Sequence, residues 1–568
     1  MESQVTSPQS TLFDTLAGDY WEFQKSEYPW MGGAYDKRYQ RELAKEAISD
    51  YERRYAIADN LTAKLRAVDI QSLSETDKIN YQIMEKELND IRKAYELDEH
   101  LRPTFHPFGP LVDLDFTIQK TVLSSLGDLD NYISRLADIG PLLDAMKARL
   151  KEGLKHDYRL PRILLSSFIG NVAGYLEAQP EDSLWFQPIK QLSLAITPEI
   201  DAHKSKAITL ILKAVAPAYK RLADYLEQEY SEHCRDSIAC CDTPNGAEYY
   251  DYLIQHHTSL TLSPDEIHEK GLQEVARIQH DLEEIATQAG YKNLDDYKAF
   301  LNSDPQFFVA DKYALQERFQ ILSKQIDRRI PEFFGHLPRI SYGIEIFSES
   351  ISPQRPVAMA QPNPADGSAS GIHWITALVE TSPTYMHIPL CLHEAWPGHL
   401  MHMALMQEMQ DMPLFRRSSY FKYNAYLEGW ALYCEKLGIE MGMYKTPDEH
   451  YGRLDMEMWR ALRLVIDTGI HAKKWSREKA INYMQKYLAM PEKTITTEVD
   501  RYIGFPAQAL SYKLGEIKIV ELRKKSEKYL GKQFVLRDFH DFVLQTGPVT
   551  LKILEMKIVN WIKSIKCA

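Results

Sequence analysis

The chain has 568 residues, 44% of them apolar and 26% charged, a composition that builds large packed cores and excludes a disordered polymer. Its formal net charge of −13 excludes a general nucleic-acid binder, which needs clustered Lys and Arg to neutralise phosphates. No run reaches the ~18 apolar residues of a membrane-spanning helix, so neither nucleic acid nor membrane is an expected partner.

The length fits roughly two to four domains or one large multi-lobed unit. Residues 1–23 contain neither a basic segment nor an apolar core of the kind a signal peptide needs, and no leader is expected. The six cysteines (234, 240, 241, 391, 434 and 567) are sparse and show no metal-ligand spacing, which predicts reduced thiols and a cytoplasmic location. The sequence assigns no oligomeric state.

From about residue 35 to 330, apolar residues recur at intervals of three and four with charge on the opposite face, predicting an almost wholly helical stretch. SLSETD (72–77) offers hydroxyl caps for a new helix, and SPDE (263–266) opens a longer one that AGY (289–291) ends. No repeat of 20–50 residues occurs, which excludes a solenoid. Between 338 and 380 the pattern changes. RISYGIEIF, PVAMAQ and GIHWITAL are short and rich in β-branched and aromatic residues, and predict a sheet of two to four strands. Helical periodicity then returns to the end. The expected fold is mainly α, multi-helical and two-lobed, with one small β-sheet just before a histidine-bearing helix. The lobes are expected at 1–240 and 241–568, with the site in the cleft between them.

The chemistry concentrates at LHEAWPGHLMH (392–402). His393 and Glu394 match the start of H-E-x-x-H, in which two histidines four apart on a helix bind zinc and the glutamate is the base. Here Pro397 takes the place of the second histidine, and the next is His399. Six residues along a helix separate side chains by roughly 120° and 9 Å, so an unbroken helix cannot bring His399 to His393. Pro397 breaks a helix and Gly398 accepts the angles a return requires, a positive φ included. Zinc hydrolysis needs three protein ligands, an open position for water and a nearby carboxylate. YNAYLEGWALYCEKLG (423–438) offers Glu428 and Glu435, seven apart and so on one face of an otherwise apolar helix, where an unpaired carboxylate is costly. The predicted ligands are His393, His399 and Glu428, with His402 in reserve. Glu435 is expected to support them, since Gly429 permits close approach of Glu428 to the histidine helix.

HEAWPGHLMH and EGWALYCEKLG resemble the signature of the DUF885 family, grouped by similarity with gluzincin-type metallopeptidases. The stretches RALRLVIDTGIHAKKWSREKAINYM (460–484), EVDRYIGFPAQALSYKLGEIKIVELR (498–523) and FHDFVLQTGPVTLKILE (539–555) extend the resemblance over most of 370–560. The chain departs from the family at Ala507, where a glycine is frequent, and at Leu400, where a second histidine is. The resemblance implies a zinc hydrolase of short peptides, in which a downstream tyrosine steadies the oxyanion. Tyr512 is the candidate. Glu394 is then the general base.

Asp467 and His471, four apart on one helical face, fit two readings. One is a carboxylate orienting a ligand histidine, with His471 facing the reacting carbonyl; the other is an internal structural pair near a helix end. Arg501, Tyr502 and Lys513 are candidate substrate contacts, the cations for a substrate carboxylate. His540 is expected to be structural. Two other function classes share these motifs: the same scaffold acting on a non-peptide amide or biosynthetic intermediate, and a helical binding protein without metal.

Overall fold

Ser263, Pro264 and Glu266 illustrate how this chain starts its helices. The Ser263 hydroxyl accepts the Glu266 N–H at 3.3 Å while the Glu266 carboxylate accepts the Ser263 N–H at 2.8 Å, satisfying two donors that a helix start leaves unpaired. Thr446, Pro447 and Glu449 repeat the device before the helix Pro447–His471, and Ser74 caps Glu75–Glu96. Gly290, at φ +87°, follows the first of these helices, in the left-handed conformation that ends one.

The computed structural model describes residues 8–567, apart from 104–110, 112–113, 115–117, 119–120, 177–178, 193–196, 350–351, 353–354, 366 and 419–421. The first seven residues of the N-terminal stretch lie outside the described residues. The protein is mainly helical with one small sheet. Among the described residues no helix is long and apolar enough to cross a membrane.

The chain divides into two compact units, residues 1–249 with 503–505, and residues 250–502 with 506–568. In the first, the helix Leu126–Lys155 buries Leu129, Ile133, Leu136 and Leu143. The Tyr132 hydroxyl closes on the Trp185 carbonyl at 2.6 Å, and buried Arg149 pairs with Glu46.

The second unit holds every candidate site residue. Its elements are α1 (Pro264–Gln288), α2 (Lys312–Phe333), β1 (Tyr342–Ile346), β2 (Ala358–Gln361), β3 (Gly371–Ile375), α3 (His387–Glu394), α4 (His399–Glu408), α5 (Asn424–Leu437), α6 (Pro447–His471) and α7 (Ser511–Leu530). The strand order is β1-β3-β2. β1 runs parallel to β3 with Ile344 opposite His373, and β2 antiparallel with Ala360 opposite His373. Gly371, His373 and Ile375 share the buried face of β3, as period-two alternation requires.

α6 is enclosed on every side: from Tyr451 to His471 only Trp459 is not buried. A helix buried all round is ordinarily apolar, yet this one carries Arg453, Asp455, Glu457, Arg460, Arg463, Asp467 and His471. Charge removed from water must find partners: Glu457 pairs with Lys513 and Arg453, Arg463 with Glu498, and Arg460 with Glu435.

Candidate metal centre

The helix carrying His393 stops one residue later. α3 ends at Glu394, its last turn closed by the Ala395 N–H on the Cys391 carbonyl at 3.0 Å. α4 starts afresh at His399, with the His402 N–H on the Gly398 carbonyl at 3.1 Å. Between them the Trp396–Pro397 peptide is cis, and the Pro397 carbonyl accepts the Trp430 indole N–H at 2.9 Å. The motif is therefore two helices joined at Pro397–Gly398. Gly398 is needed for a reason other than the expected positive φ. Its φ is −74°, not positive, and an added Cβ would lie 1.9 Å from the His393 carbonyl oxygen. The requirement is room.

This break brings His393 and His399 to a centroid separation of 4.8 Å with their rings at 89°. Glu428 Oε2, from α5, stands 3.5 Å from His393 Nε2 and 3.4 Å from His399 Nε2. The donor atoms of the three residues all lie within 4.8 Å of one another. That donor set, two imidazoles and one carboxylate, is a zinc set, and the edge of a tetrahedron with ~2.1 Å bonds is about 3.4 Å. Glu428 Oε2 is buried and makes no hydrogen bond among the described residues, as fits an oxygen shaped for a cation. The residues fit zinc.

His393 Nδ1 donates to Glu435 Oε1 at 2.8 Å, which leaves Nε2 as the nitrogen turned to Glu428. Burial works against a charged His393, but the facing carboxylates of Glu428 and Glu435 outweigh it and push its pKa up to about 9 in the metal-free protein. Burial likewise opposes ionised Glu428, and the charges of His399 and His393 hold it well below the usual carboxylate range. Glu394, next to His393 and half-buried, adds its charge to the same imidazole. Among the described residues its carboxylate has no hydrogen-bond or ion-pair partner, so its lone pairs are available.

Gly429 does not serve the approach to the histidine helix. Its missing Cβ faces α7, where it would lie 2.4 Å from the Gly515 backbone, and a Cβ on Gly515 would lie 1.9 Å from the Ala425 carbonyl oxygen. This glycine pair seats α5 on α7, with Glu428 and Tyr512 flanking the contact. Tyr512 is half-buried; burial first, then the Glu428 charge, raises its pKa, so the phenol stays protonated.

Other predicted residues sit elsewhere. Asp467 is fully buried and accepts the Tyr250 hydroxyl at 2.6 Å and the Ala507 N–H at 3.1 Å. It orients no ligand histidine, because His393 Nδ1 belongs to Glu435 and buried His399 Nδ1 has no hydrogen-bond partner among the described residues. His471 is fully buried and its Nε2 lies 2.9 Å from the Tyr502 carbonyl. Tyr502 is not a substrate contact. It is 0% exposed, and its hydroxyl joins Glu498, Trp459 and Arg463. Lys513, 1% exposed, is equally removed, holding Glu457 at 2.7 Å, Glu516 at 2.8 Å and Glu274 at 3.0 Å. Arg501 is spent on Glu498 and Gln508. His402 stands outside the triad; neither ring nitrogen has a partner among the described residues, and burial, with His399 nearby, pulls its pKa down to about 3. His540 is buried between the Phe333 carbonyl and the Tyr433 hydroxyl.

Four participants were not singled out from the sequence. Trp430 pins the Pro397 turn. Arg460 reaches within 3.7 Å of Glu435 Oε1, and Arg463 pairs with Glu498. His373, fully buried and unpartnered at both nitrogens among the described residues, is close enough to His393 for their charges to interact. The signal for the arginines was present in WRALRLVID, where cations at three-residue spacing interrupt an apolar helix face.

A family described as bacterial proteins of unknown function (DUF885) matches residues 30–558. No curated protein matches. A crystal structure described as a "putative lipoprotein" from Colwellia psychrerythraea superposes with a TM-score of 0.91 at 26% identity, covering 99% of this chain and 100% of that one. A "putative lipoprotein of unknown function" from Shewanella oneidensis gives a TM-score of 0.76 at 16% identity, covering 98% and 100%. The second likeness is one of fold alone. The chain belongs to the DUF885 family.

Proposed function

We propose that this DUF885 member is a zinc-dependent hydrolase of the gluzincin type that cleaves amide bonds in short peptides. The observation that carries the reading is the triad: two imidazole nitrogens converge from separate helices to within 3.5 and 3.4 Å of a buried carboxylate oxygen that has no hydrogen bond among the described residues. His393, His399 and Glu428 hold the ion, and Glu435 fixes the His393 tautomer. Zinc in such a site supplies a Lewis acid for the substrate carbonyl and lowers the pKa of a water molecule. Glu394 accepts that water's proton as its oxygen adds to the carbonyl carbon, and returns it to the nitrogen as the C–N bond breaks. The Tyr512 hydroxyl donates to the oxyanion.

Two measurements on protein purified without added metal test the reading. Elemental analysis is expected to find zinc near one equivalent, and a short-peptide library is expected to yield cleavage that a chelator abolishes and zinc restores. Metal-free protein that gains neither zinc nor activity on reconstitution overturns it. For location we keep the cytoplasm, on the sparse cysteines; both structural relatives are described as lipoproteins, and recovery in a membrane fraction would overturn this assignment.

A further inference from the structure

We propose that Arg463 is a positioning residue for Tyr512, its guanidinium holding the phenol ring at the metal centre by a cation–π contact. This rests on the reading of Tyr512 as oxyanion donor. The guanidinium carbon lies 4.3 Å from the centre of the Tyr512 ring and 4.8 Å from that of Trp459, distances at which a cation is drawn to an aromatic face. Hydrogen bonds set the guanidinium plane: Nε donates to the Tyr502 hydroxyl at 3.1 Å and Nη2 to Glu498 Oε2 at 3.3 Å. Tyr502 is itself anchored, donating to Glu498 at 2.9 Å and accepting from Trp459 Nε1 at 3.2 Å. A rigid carboxylate–tyrosine–indole frame therefore stands behind the arginine.

Two plainer roles fit less well. Neutralising Glu498 does not require Arg463, since Arg501 already gives that carboxylate two hydrogen bonds, at 3.2 and 3.0 Å. Binding substrate directly is blocked by burial. Arg463 is 5% exposed, and its remaining donor, Nη1, is buried without a partner among the described residues. What the side chain offers the site is a cation held against the Tyr512 ring by its other hydrogen bonds, a role for a guanidinium with fixed donors rather than for a flexible ammonium.

A double-mutant cycle on the full chain tests this. Tyr512→Phe is expected to lower kcat by about 100-fold, the scale of one lost oxyanion donor. Arg463→Gln is expected to lower kcat about tenfold with KM unchanged, but less than twofold in the Tyr512→Phe background; Arg463→Lys is expected to restore little. An equal loss from Arg463→Gln in both backgrounds overturns the inference, as does full rescue by lysine. A Tyr512→Phe rate equal to the parent's overturns it together with the oxyanion role. A second readout needs neither metal nor activity. With 3-fluorotyrosine at position 512, the metal-free parent is expected to give one narrow fluorine resonance, and Arg463→Gln or Arg463→Lys a shifted and broadened one. An unchanged line overturns the inference even where peptide hydrolysis fails, and such a failure counts against the hydrolase reading alone.

Discussion

His393 gives its Nδ1 proton to Glu435 Oε1 across 2.8 Å, tying the end of α3 to the last turns of α5. Glu435 is 1% exposed, and Arg460 stands 3.7 Å from the same oxygen. A buried carboxylate so held fixes the ring's rotation and tautomer. Glu428, seven residues earlier, instead turns a bare oxygen to both Nε2 atoms. Glu435→Ala is thus expected to weaken zinc binding by roughly 10–100-fold, and Glu428→Ala by more, because a ligand is gone. Chelator competition on both variants measures the difference. A larger loss at Glu435 exchanges their roles.

Glu394 points to a separation of binding from chemistry. Its carboxylate is not committed to any described neighbour, and His393, the preceding residue, is. Glu394→Gln keeps the shape but cannot take a proton, so zinc content should stay near the parent's while turnover falls by about 10²–10⁴. His393→Ala should lose the metal itself. Near-parental turnover in Glu394→Gln shows that another group is the base.

Zinc uptake should release a proton. In the metal-free protein, His393 keeps its proton up to a pKa of about 9, because the two glutamates outweigh burial. A ligating imidazole must be neutral. Below pH 9 the ion therefore displaces a proton, and affinity should fall roughly tenfold for each unit of acidification. Titration calorimetry at pH 7 in buffers of different ionisation enthalpy counts the protons; a heat independent of buffer contradicts the arrangement.

Much of this was legible in the sequence because periodicity and caps are local signals. SPDE and the glycine at 290 mark both ends of α1, and the β-branched and aromatic residues of GIHWITAL mark β3. Glu428 and Glu435 showed themselves as carboxylates on an apolar face. What escaped depends on contacts between distant segments. Nothing local says that Gly429 meets Gly515, or that Tyr502 and Lys513 are walled in by α6. The exposure of a tyrosine or lysine on a helix depends on what packs over it, and α6 carries the opposing charges 40 to 60 residues earlier. Gly398 was recognised as necessary for the wrong reason, since φ is local but the carbonyl it must clear is five residues back.

Asp467 predicts a pH-dependent stability. Burial pushes its pKa up to about 7 from an ordinary 3.8, against the hydrogen bonds from Tyr250 and Ala507. The folded state then binds the proton more tightly than the unfolded one, so stability is lost as pH rises from about 4 to about 7. Three units correspond to ~4 kcal/mol as an upper bound. Asp467→Asn is neutral throughout and lacks this term. The melting temperature of the parent relative to the variant should therefore rise by several degrees as pH falls from 7.5 to 5. A gap constant with pH means Asp467 does not titrate there.

The turn at Pro397–Gly398 allows the sharpest test of the motif. Deleting both residues restores the letters H-E-A-W-H and sets His399 four residues after His393, the spacing of an unbroken zinc helix. Zinc binding should nevertheless fall. Glu428 is placed for two helices meeting at an angle, and Trp430 donates to a Pro397 carbonyl that the deletion removes. Ligands must be held within about 0.5 Å of productive geometry, whereas a continuous helix moves His399 by several ångströms. Gly398→Ala is the finer probe. No positive φ bars alanine at this position, but its Cβ would stand 1.9 Å from the His393 oxygen and must displace α3 or α4. Zinc content and circular dichroism of both variants beside the parent decide the matter. The expected result is folded protein with metal lost in the deletion and reduced in Gly398→Ala. Full metal in both would remove His399 from the ligand set.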